Sequence, residues 1–210
     1  MRFLLRLLDA LLPPRHTKAL VESATLEMLG AHVSPSTQRL AAATVTSLLP
    51  YRAPLVRALI HEAKYHADAK ATELLGTVLA DYLRTYEEDR RFDTKRIVLI
   101  PAPLSSKRLR ERGYNQVESI VRAALPQLPD RFLFGTDVLI RTKETVPQAR
   151  LSRKERLTNV SDAFAVTGAI PEDAIIVLLD DVVTTGSTLA GMSASFNTGN
   201  RPAILLALAH

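Results

Sequence analysis

The chain has 210 residues, of which 47% are hydrophobic and 23% charged, a composition typical of a folded globular protein with a substantial core. It contains no cysteine, which excludes a disulfide framework, a thiolate nucleophile and a cysteine zinc site, and we expect a cytoplasmic protein. The formal net charge of +5 is compatible with anionic ligands or partners.

The first twelve residues predict an amphipathic helix that ends at Pro13. Its apolar face carries Leu4, Leu5, Leu8, Leu11 and Leu12. Because Arg6 and Asp9 interrupt the short apolar run, we expect neither a signal peptide nor an integral membrane helix. The apolar face has two alternatives: docking on this protein's own core or on a second subunit in a homodimer, and attachment to a membrane surface or a partner.

Residues 1–95 are predicted to form a helical N-terminal region and hood over a core of residues 96–210. Helical periodicity runs through residues 55–65 and 71–86, and the Ala-, Thr- and Leu-rich residues 37–49 predict a further helix. In the core, strands are predicted at 97–100, 138–141, 163–166, 175–179 and 203–209, with a helix at 114–125. This alternation predicts an α/β fold with an open, mostly parallel sheet flanked by helices.

The stretch 175–189, IIVLLDDVVTTGSTL, combines an apolar strand, two acids, a turn and the start of a helix. Asp180 and Asp181 follow five apolar residues, as at the carboxyl end of a buried parallel strand that opens into a ligand crevice. Gly186 permits a turn whose N–H groups converge on an anion at a helix N-terminus. Hydroxyl donors are Thr184, Thr185, Ser187 and Thr188. Without a Walker A lysine or a G-x-G-x-x-G motif, the pattern suits a 5-phosphoribosyl group; the alternative is an acidic turn with a Ser/Thr-capped helix and no ligand.

A second group of phosphate-binding side chains is predicted after the strand at 97–100, whose carboxyl end faces the same crevice. Its candidates for pyrophosphate are Ser105, Ser106, Lys107, Arg108, Arg110 and Arg112. The polar segment 142–159 lies between two predicted strands and is expected to be a lid, with Arg150, Arg153 and Arg156 as pyrophosphate contacts. The alternative for both segments is a solvated basic surface.

Two resemblances follow from these motifs. The stretch 175–189 resembles the phosphoribosyl pyrophosphate (PRPP) loop of type I phosphoribosyltransferases. The segment Arg112-Gly113-Tyr114-Asn115-Gln116, after a strand and a Pro-x-Pro-Leu turn, resembles the signature of the ComF family of competence-associated, phosphoribosyltransferase-like proteins. Gln148 within a T-x-x-Q pattern, the Lys64-Tyr65 pair and the sequence LLDALLPPR at 7–15 are similar to further elements of that family.

The resemblance implies a type I phosphoribosyltransferase fold and a phosphoribosyltransferase activity, a pentosyl glycosyltransferase that uses PRPP and Mg²⁺. By this similarity the residues from Thr184 to Thr188 would bind the 5-phosphate. Asp180 and Asp181 would be the catalytic pair, which holds the ribose hydroxyls directly or through metal-bound water. The product would be a phosphoribosylated nitrogen acceptor, formed with inversion at C1 and release of pyrophosphate. The family also implies a link to DNA uptake and competence.

The N-terminal region departs from the family, because His16-Thr17-Lys18-Ala19 stands where members commonly carry C-x-x-C elements. We therefore expect no zinc, since His16 and His32 alone do not complete a structural site. The alternative function is a non-catalytic module that binds single-stranded DNA or competence protein partners; a nucleotide-responsive regulator is a third. The acceptor is not specified: His61, Lys64, Tyr65 and His66 either line its pocket or form a helix surface.

Overall fold

The computed structural model describes residues 16–40, 43–90, 95–142, 163–196 and 203–210. The predicted N-terminal helix and, apart from Thr142, the predicted lid lie outside these ranges. The elements are α1 (His16–Ser23), α2 (Leu26–Gly30), β1 (Ser36–Leu40), β2 (Ala43–Leu49), α3 (Pro54–His66), α4 (Ala69–Arg90), β3 (Ile97–Pro101), α5 (Ser106–Arg112), α6 (Gln116–Ala124), β4 (Phe132–Phe134), β5 (Leu139–Arg141), β6 (Phe164–Val166), β7 (Ile175–Val182), α7 (Ser187–Phe196) and β8 (Ala203–Ala209).

Within the described ranges, six strands form the main sheet in the order β1-β2-β8-β7-β3-β4. The pairs from β2 to β4 are parallel, and β1 joins β2 antiparallel at one edge. The predicted α/β class is therefore confirmed, with the mostly parallel sheet and flanking helices of a type I phosphoribosyltransferase-like fold. Because β3, β7 and β8 are parallel, their carboxyl ends meet at the same edge, where open α/β sheets bind ligands.

Strand β7 is buried on both faces, which explains its continuous apolar run. Ile176 and Leu178 pack in the same core cluster as residues of α7, whereas Val177 and Leu179 pack with α3, α4 and α6. Successive side chains of a strand point to opposite faces. This alternation fixes the directions in which the polar residues at the end of β7 leave the sheet.

The prediction of a helix at residues 37–49 is wrong, since β1 and β2 lie there instead. Residues 43–49, ATVTSLL, carry β-branched Thr44, Val45 and Thr46, which favour strands, and they pair with β8. The strands predicted at 138–141 and 163–166 exist as β5 and β6. They pair antiparallel with each other in a second sheet instead of joining the parallel one. The sequence does not predict the three-residue β4, because so short an apolar run shows neither strand nor helix periodicity.

Helices α3, α4 and α6 confirm the helices predicted at 55–65, 71–86 and 114–125, with small shifts of their ends. Pro54 starts α3 at a position where its missing N–H is not needed. Ala67 ends α3 in the left-handed conformation, with a φ of 49°. No helix in the described part of the chain has the length and apolarity needed to cross a membrane.

Helices α4 and α6 approach closely at Gly76. A Cβ added there would lie 2.8 Å from Ala123 Cβ and 3.1 Å from the Ile120 carbonyl oxygen. Gly76→Leu should therefore lower the free energy of unfolding by about 1–3 kcal/mol, as overpacking usually does, when measured by urea denaturation. Gly30→Ala is the control, because nothing lies within 4 Å of its added methyl. An unchanged midpoint for Gly76→Leu would contradict this helix contact.

Candidate functional site

A cavity of about 170 Å³ opens at the carboxyl ends of β3 and β7. One wall is the loop after β3 with α5 and the start of α6, and α3 and β5 each add a cation. Charged side chains that line it are Lys64, Arg108, Arg112, Arg141, Asp180 and Asp181. Four cations face two acids, so the lining favours an anionic ligand.

A recess of about 30 Å³ adjoins this cavity and shares Asp180, Val182 and Thr188 with it. The turn around Gly186 forms the recess, and the φ of 74° at Gly186 lies in the region that favours glycine. A Cβ at Gly186 would also lie 2.7 Å from Leu40 Cβ on β1. The Ala190 N–H donates to the Gly186 carbonyl at 2.9 Å, so α7 begins directly after the turn. The turn and the helix thus have the arrangement predicted for an anion site.

The predicted phosphate-binding hydroxyls surround this recess. Thr184 and Thr185 are exposed, whereas Ser187 and Thr188 are half-buried. Thr185 Oγ1 and Ser187 Oγ lie 3.0 Å apart in a hydrogen bond. The recess therefore presents hydroxyl groups together with the N-terminus of α7, and its affinity for phosphate stays a prediction.

Asp180 and Asp181 differ in their surroundings, because adjacent residues of β7 point to opposite faces. Asp181 is 6% exposed, and its Oδ2 accepts a hydrogen bond from Gln116 Nε2 at 2.8 Å and lies 3.0 Å from Lys64 Nζ. Its Oδ1 accepts from the Val182 N–H at 2.8 Å. Asp180 Oδ1 accepts from the Asp181 N–H at 2.9 Å, and Asp180 lines both the cavity and the recess. Asp181 thus anchors α3 and α6, while Asp180 faces the candidate ligand site.

The two carboxyl groups also differ in their protonation. Burial raises the pKa of Asp180 to about 8, and the negative charge of Asp181 adds to this effect. Burial acts to raise the pKa of Asp181 as well, but the charge and hydrogen bonding of Lys64, with help from Gln116, lower it below its ordinary value. Near neutral pH, Asp180 therefore holds a proton while Asp181 is ionised and paired with Lys64.

Tyr114 and Asn115 of the RGYNQ segment connect the loops around the cavity. The Tyr114 hydroxyl donates to the Ala63 carbonyl and accepts from the Ala67 N–H, both at 2.8 Å, so it caps the end of α3. Asn115 Nδ2 donates to the Ala102 carbonyl in the loop after β3 at 2.9 Å. These two side chains therefore fix α3 and the β3 loop relative to α6.

Arg112, Gly113 and Gln116 complete this segment. Gly113 ends α5 with a φ of 80°. Arg112 donates to Gln116 Oε1, and its guanidinium carbon lies 5.4 Å from the centre of the Tyr65 ring. Since Gln116 donates in turn to Asp181, a continuous polar chain connects Arg112 on α5 to the end of β7.

Only some of the described residues that were predicted to bind pyrophosphate line the cavity. Arg108 and Arg112 line the cavity. Ser105 is buried and caps α5, where its Oγ accepts from the Arg108 N–H at 3.4 Å, and Lys107 is exposed. Gln148, Arg150, Arg153 and Arg156 lie outside the described residues.

Two cations in the cavity were not assigned to the phosphate site from the sequence. The sequence gives Lys64 two alternatives, an acceptor pocket or a helix surface, and Arg141 is not among the predicted pyrophosphate contacts. Arg141 ends β5, with its guanidinium carbon 5.5 Å from the centre of the Phe164 ring on β6. The available signal for Lys64 was its place in the Lys64-Tyr65 pair near the end of a helix. Arg141 begins the basic run at 141–156, RTKETVPQARLSRKER, but its orientation depends on the β5–β6 pairing, which no local pattern reports.

The raised pKa of Asp180 makes stability depend on pH. Between its ordinary value of 3.8 and about 8, the folded chain keeps a proton that the unfolded chain has released, so stability falls as pH rises through this range. Asp180→Asn is neutral at every pH and should lack this loss. Between about pH 5 and about pH 9, the unfolding free energy of the variant relative to that of wild type should rise by at least about 1 kcal/mol. A shift of one pKa unit already corresponds to about 1.4 kcal/mol.

Urea unfolding at both pH values measures this difference. Asp173→Asn removes an exposed carboxylate and is the matched control. Parallel pH profiles of wild type and Asp180→Asn would show that Asp180 is not protonated in the folded chain.

Comparison with known proteins gives several relatives, although no protein-family model matches the chain. It is 36% identical over 97 residues to competence protein F of Haemophilus influenzae, covering 45% of this chain and 42% of that protein. It is 35% identical over 117 residues to competence protein ComFC of Streptococcus pneumoniae, covering 55% of this chain and 47% of that protein. It is 31% identical over 139 residues to DNA utilization protein YhgH of Escherichia coli, covering 66% of this chain and 59% of that protein.

The chain spans about half the length of the curated relatives it matches. These relatives carry competence and DNA-utilization names, in agreement with the resemblance of the RGYNQ segment. On these similarities and its sheet topology, the chain belongs to the ComF family of competence and DNA-utilization proteins.

Proposed function

We propose that the chain binds PRPP with Mg²⁺ in the cytoplasm and transfers the phosphoribosyl group to a nitrogen acceptor with release of pyrophosphate. The observation that carries this proposal is the junction of the Gly186 recess with the four-cation cavity at Asp180. A phosphate in the recess and a pyrophosphate among the cations would lie on either side of Asp180. PRPP carries these two groups on one ribose.

Each part of the site has a role in this proposal. The turn at Gly186 and the Thr188 hydroxyl would bind the 5-phosphate. Arg108, Arg112 and Arg141 would neutralise the pyrophosphate as it leaves. Asp180 would contact the ribose hydroxyls, and its proton makes it a hydrogen-bond donor as well as an acceptor. Positioning and electrostatics would supply most of the rate.

The residues around β7 fit a Mg²⁺ ion held through water better than one bound directly. Mg²⁺ prefers oxygen ligands and keeps several of its waters. The oxygens of Asp181 already contact Lys64, Gln116 and the Val182 N–H, so direct ligation would compete with an ion pair. Asp180 and Asp181 would hold the ion through water, and when bound it would supply positive charge to the pyrophosphate.

The Thr188 hydroxyl provides a test of PRPP binding, because this residue lines both the recess and the cavity. Thr188→Val keeps the shape of the side chain and removes its donor. It should weaken PRPP binding about tenfold in calorimetry with Mg²⁺, in line with about 1.5 kcal/mol for a hydrogen bond to a charged group. The control is Thr85→Val on the exposed surface of α4, where affinity should not change. Absence of PRPP binding in wild type would overturn the proposal.

The names of the relatives favour a second candidate, a non-catalytic module that binds single-stranded DNA or a competence protein. Tyr65 is 57% exposed with Arg112 over its ring, an arrangement that would stack a base beside the cavity. The discriminating measurement is pyrophosphate release from PRPP with a broad panel of bases and amines. Stimulated release supports the transferase. Its absence, together with salt-sensitive DNA binding that Tyr65→Ala weakens, supports the module.

A further inference from the structure

The last turns of α3 bring together three side chains that can bind a metal ion. His61, Glu62 and His66 each offer one ligand atom, and these atoms all lie within 4.8 Å of one another. Glu62 and His66 are four residues apart and share a face of the helix. The His61 ring lies beside the His66 ring, with 5.5 Å between the ring centres. The group is thus assembled from one helix, on residues that the proposed transferase chemistry does not use.

His61 and Glu62 carry buried polar atoms at this position. His61 Nδ1 is buried and has no hydrogen-bond partner among the described residues. It lies 3.7 Å from Glu62 Oε1, too far for a hydrogen bond. The Glu62 side chain is fully buried, and its Oε1 accepts from Thr17 Oγ1 of α1 at 2.7 Å. A buried ring nitrogen without a hydrogen-bond partner is costly, and a cation bound between His61 and the Glu62 carboxylate would give this nitrogen a partner.

We propose that His61, Glu62 and His66 form a binding site for a divalent transition-metal ion of the zinc class. Two imidazoles and one carboxylate suit Zn²⁺, Co²⁺ or Ni²⁺, whereas Mg²⁺ prefers oxygen ligands. Three protein ligands leave one tetrahedral position for water. This differs from the zinc-free chain expected from the missing cysteines, because the ligands come from α3.

The separations between the ligand atoms are compatible with such an ion after a small adjustment. With zinc bond lengths near 2.0–2.1 Å, adjacent ligands in a tetrahedral site lie roughly 3.4 Å apart. The ligand atoms, which lie within 4.8 Å of one another, would reach this separation by movement of two side chains. These are His61, which is half-exposed, and His66, which is exposed at the end of α3. Glu62 needs no movement, because the Thr17 hydroxyl already fixes its carboxylate, as outer hydrogen bonds do at metal sites.

An ion here would stabilise the contact between α1 and α3. Thr17 and Glu62 are 45 residues apart in sequence, so the ion, Glu62 and Thr17 would connect the two helices. Lys64 lies on the same helix and reaches Asp181 in the cavity. The proposal does not rest on PRPP binding. It predicts that the folded state gains stability with the logarithm of the metal concentration once this concentration exceeds Kd.

The test uses the full chain without a histidine tag, stripped with EDTA and titrated with Co²⁺, whose visible absorption reports tetrahedral coordination. We expect one Co²⁺ per chain, displacement by Zn²⁺ and a higher Tm with metal. His66→Ala should weaken Co²⁺ binding at least tenfold. Thr17→Val should weaken it about tenfold, because it removes the hydrogen bond that orients Glu62.

Two controls separate this site from other metal binding. His32→Ala removes a histidine outside the cluster, and Asp180→Asn changes the proposed Mg²⁺ region; both should bind Co²⁺ as wild type does. His66 is exposed, so His66→Ala is expected to fold, and circular dichroism checks this. Wild type without a tetrahedral Co²⁺ spectrum, or His66→Ala with unchanged affinity, would overturn the proposal. Equal weakening by His32→Ala would overturn it too.

Discussion

The arrangement of the cavity depends on the buried carboxylate of Asp181. Its Oδ2 lies 3.0 Å from the Lys64 ammonium of α3 and accepts a hydrogen bond from Gln116 of α6. A buried charge is costly unless it is paired and hydrogen-bonded, so these contacts hold both helices against the end of β7. The walls of the cavity are therefore positioned by a carboxylate that has little capacity left for a ligand.

The alternation of side chains along β7 explains how one strand end can serve both structure and ligand binding. Val177 and Leu179 share a face with Asp181, and Ile176 and Leu178 share the other face with Asp180. A pair of adjacent acids in a strand is therefore divided between the core helices and the turn at Gly186. The protonation of the two carboxyl groups follows the same division, because the Lys64 ammonium lies 3.0 Å from Asp181 Oδ2 and lowers the pKa of Asp181.

Local sequence signals predicted the parts of the fold that local forces decide. The apolar run of β7, its terminal acids and Gly186 predicted a buried strand and a turn before a helix, and the strand and the turn both exist. Anion binding at this turn stays a prediction. The helix prediction for residues 37–49 was wrong because it weighed their alanines and leucines above the β-branched run at 44–46, whose strand is stabilised by pairing with β8. Lys64 is 117 residues from Asp181 in the chain, so no local pattern reports their contact. The roles of Gln148 and the lid arginines remain predictions.

The polar chain from Arg112 through Gln116 and Asp181 to Lys64 has a consequence for sequence variation within the family. Each member satisfies the next: Arg112 donates to Gln116, Gln116 donates to Asp181, and Lys64 pairs with the same carboxylate. Loss of one group leaves a buried neighbour without its partner, which costs more than the pair contributes. We therefore expect these four positions to covary within the family, so that relatives either keep all four residues or replace them together.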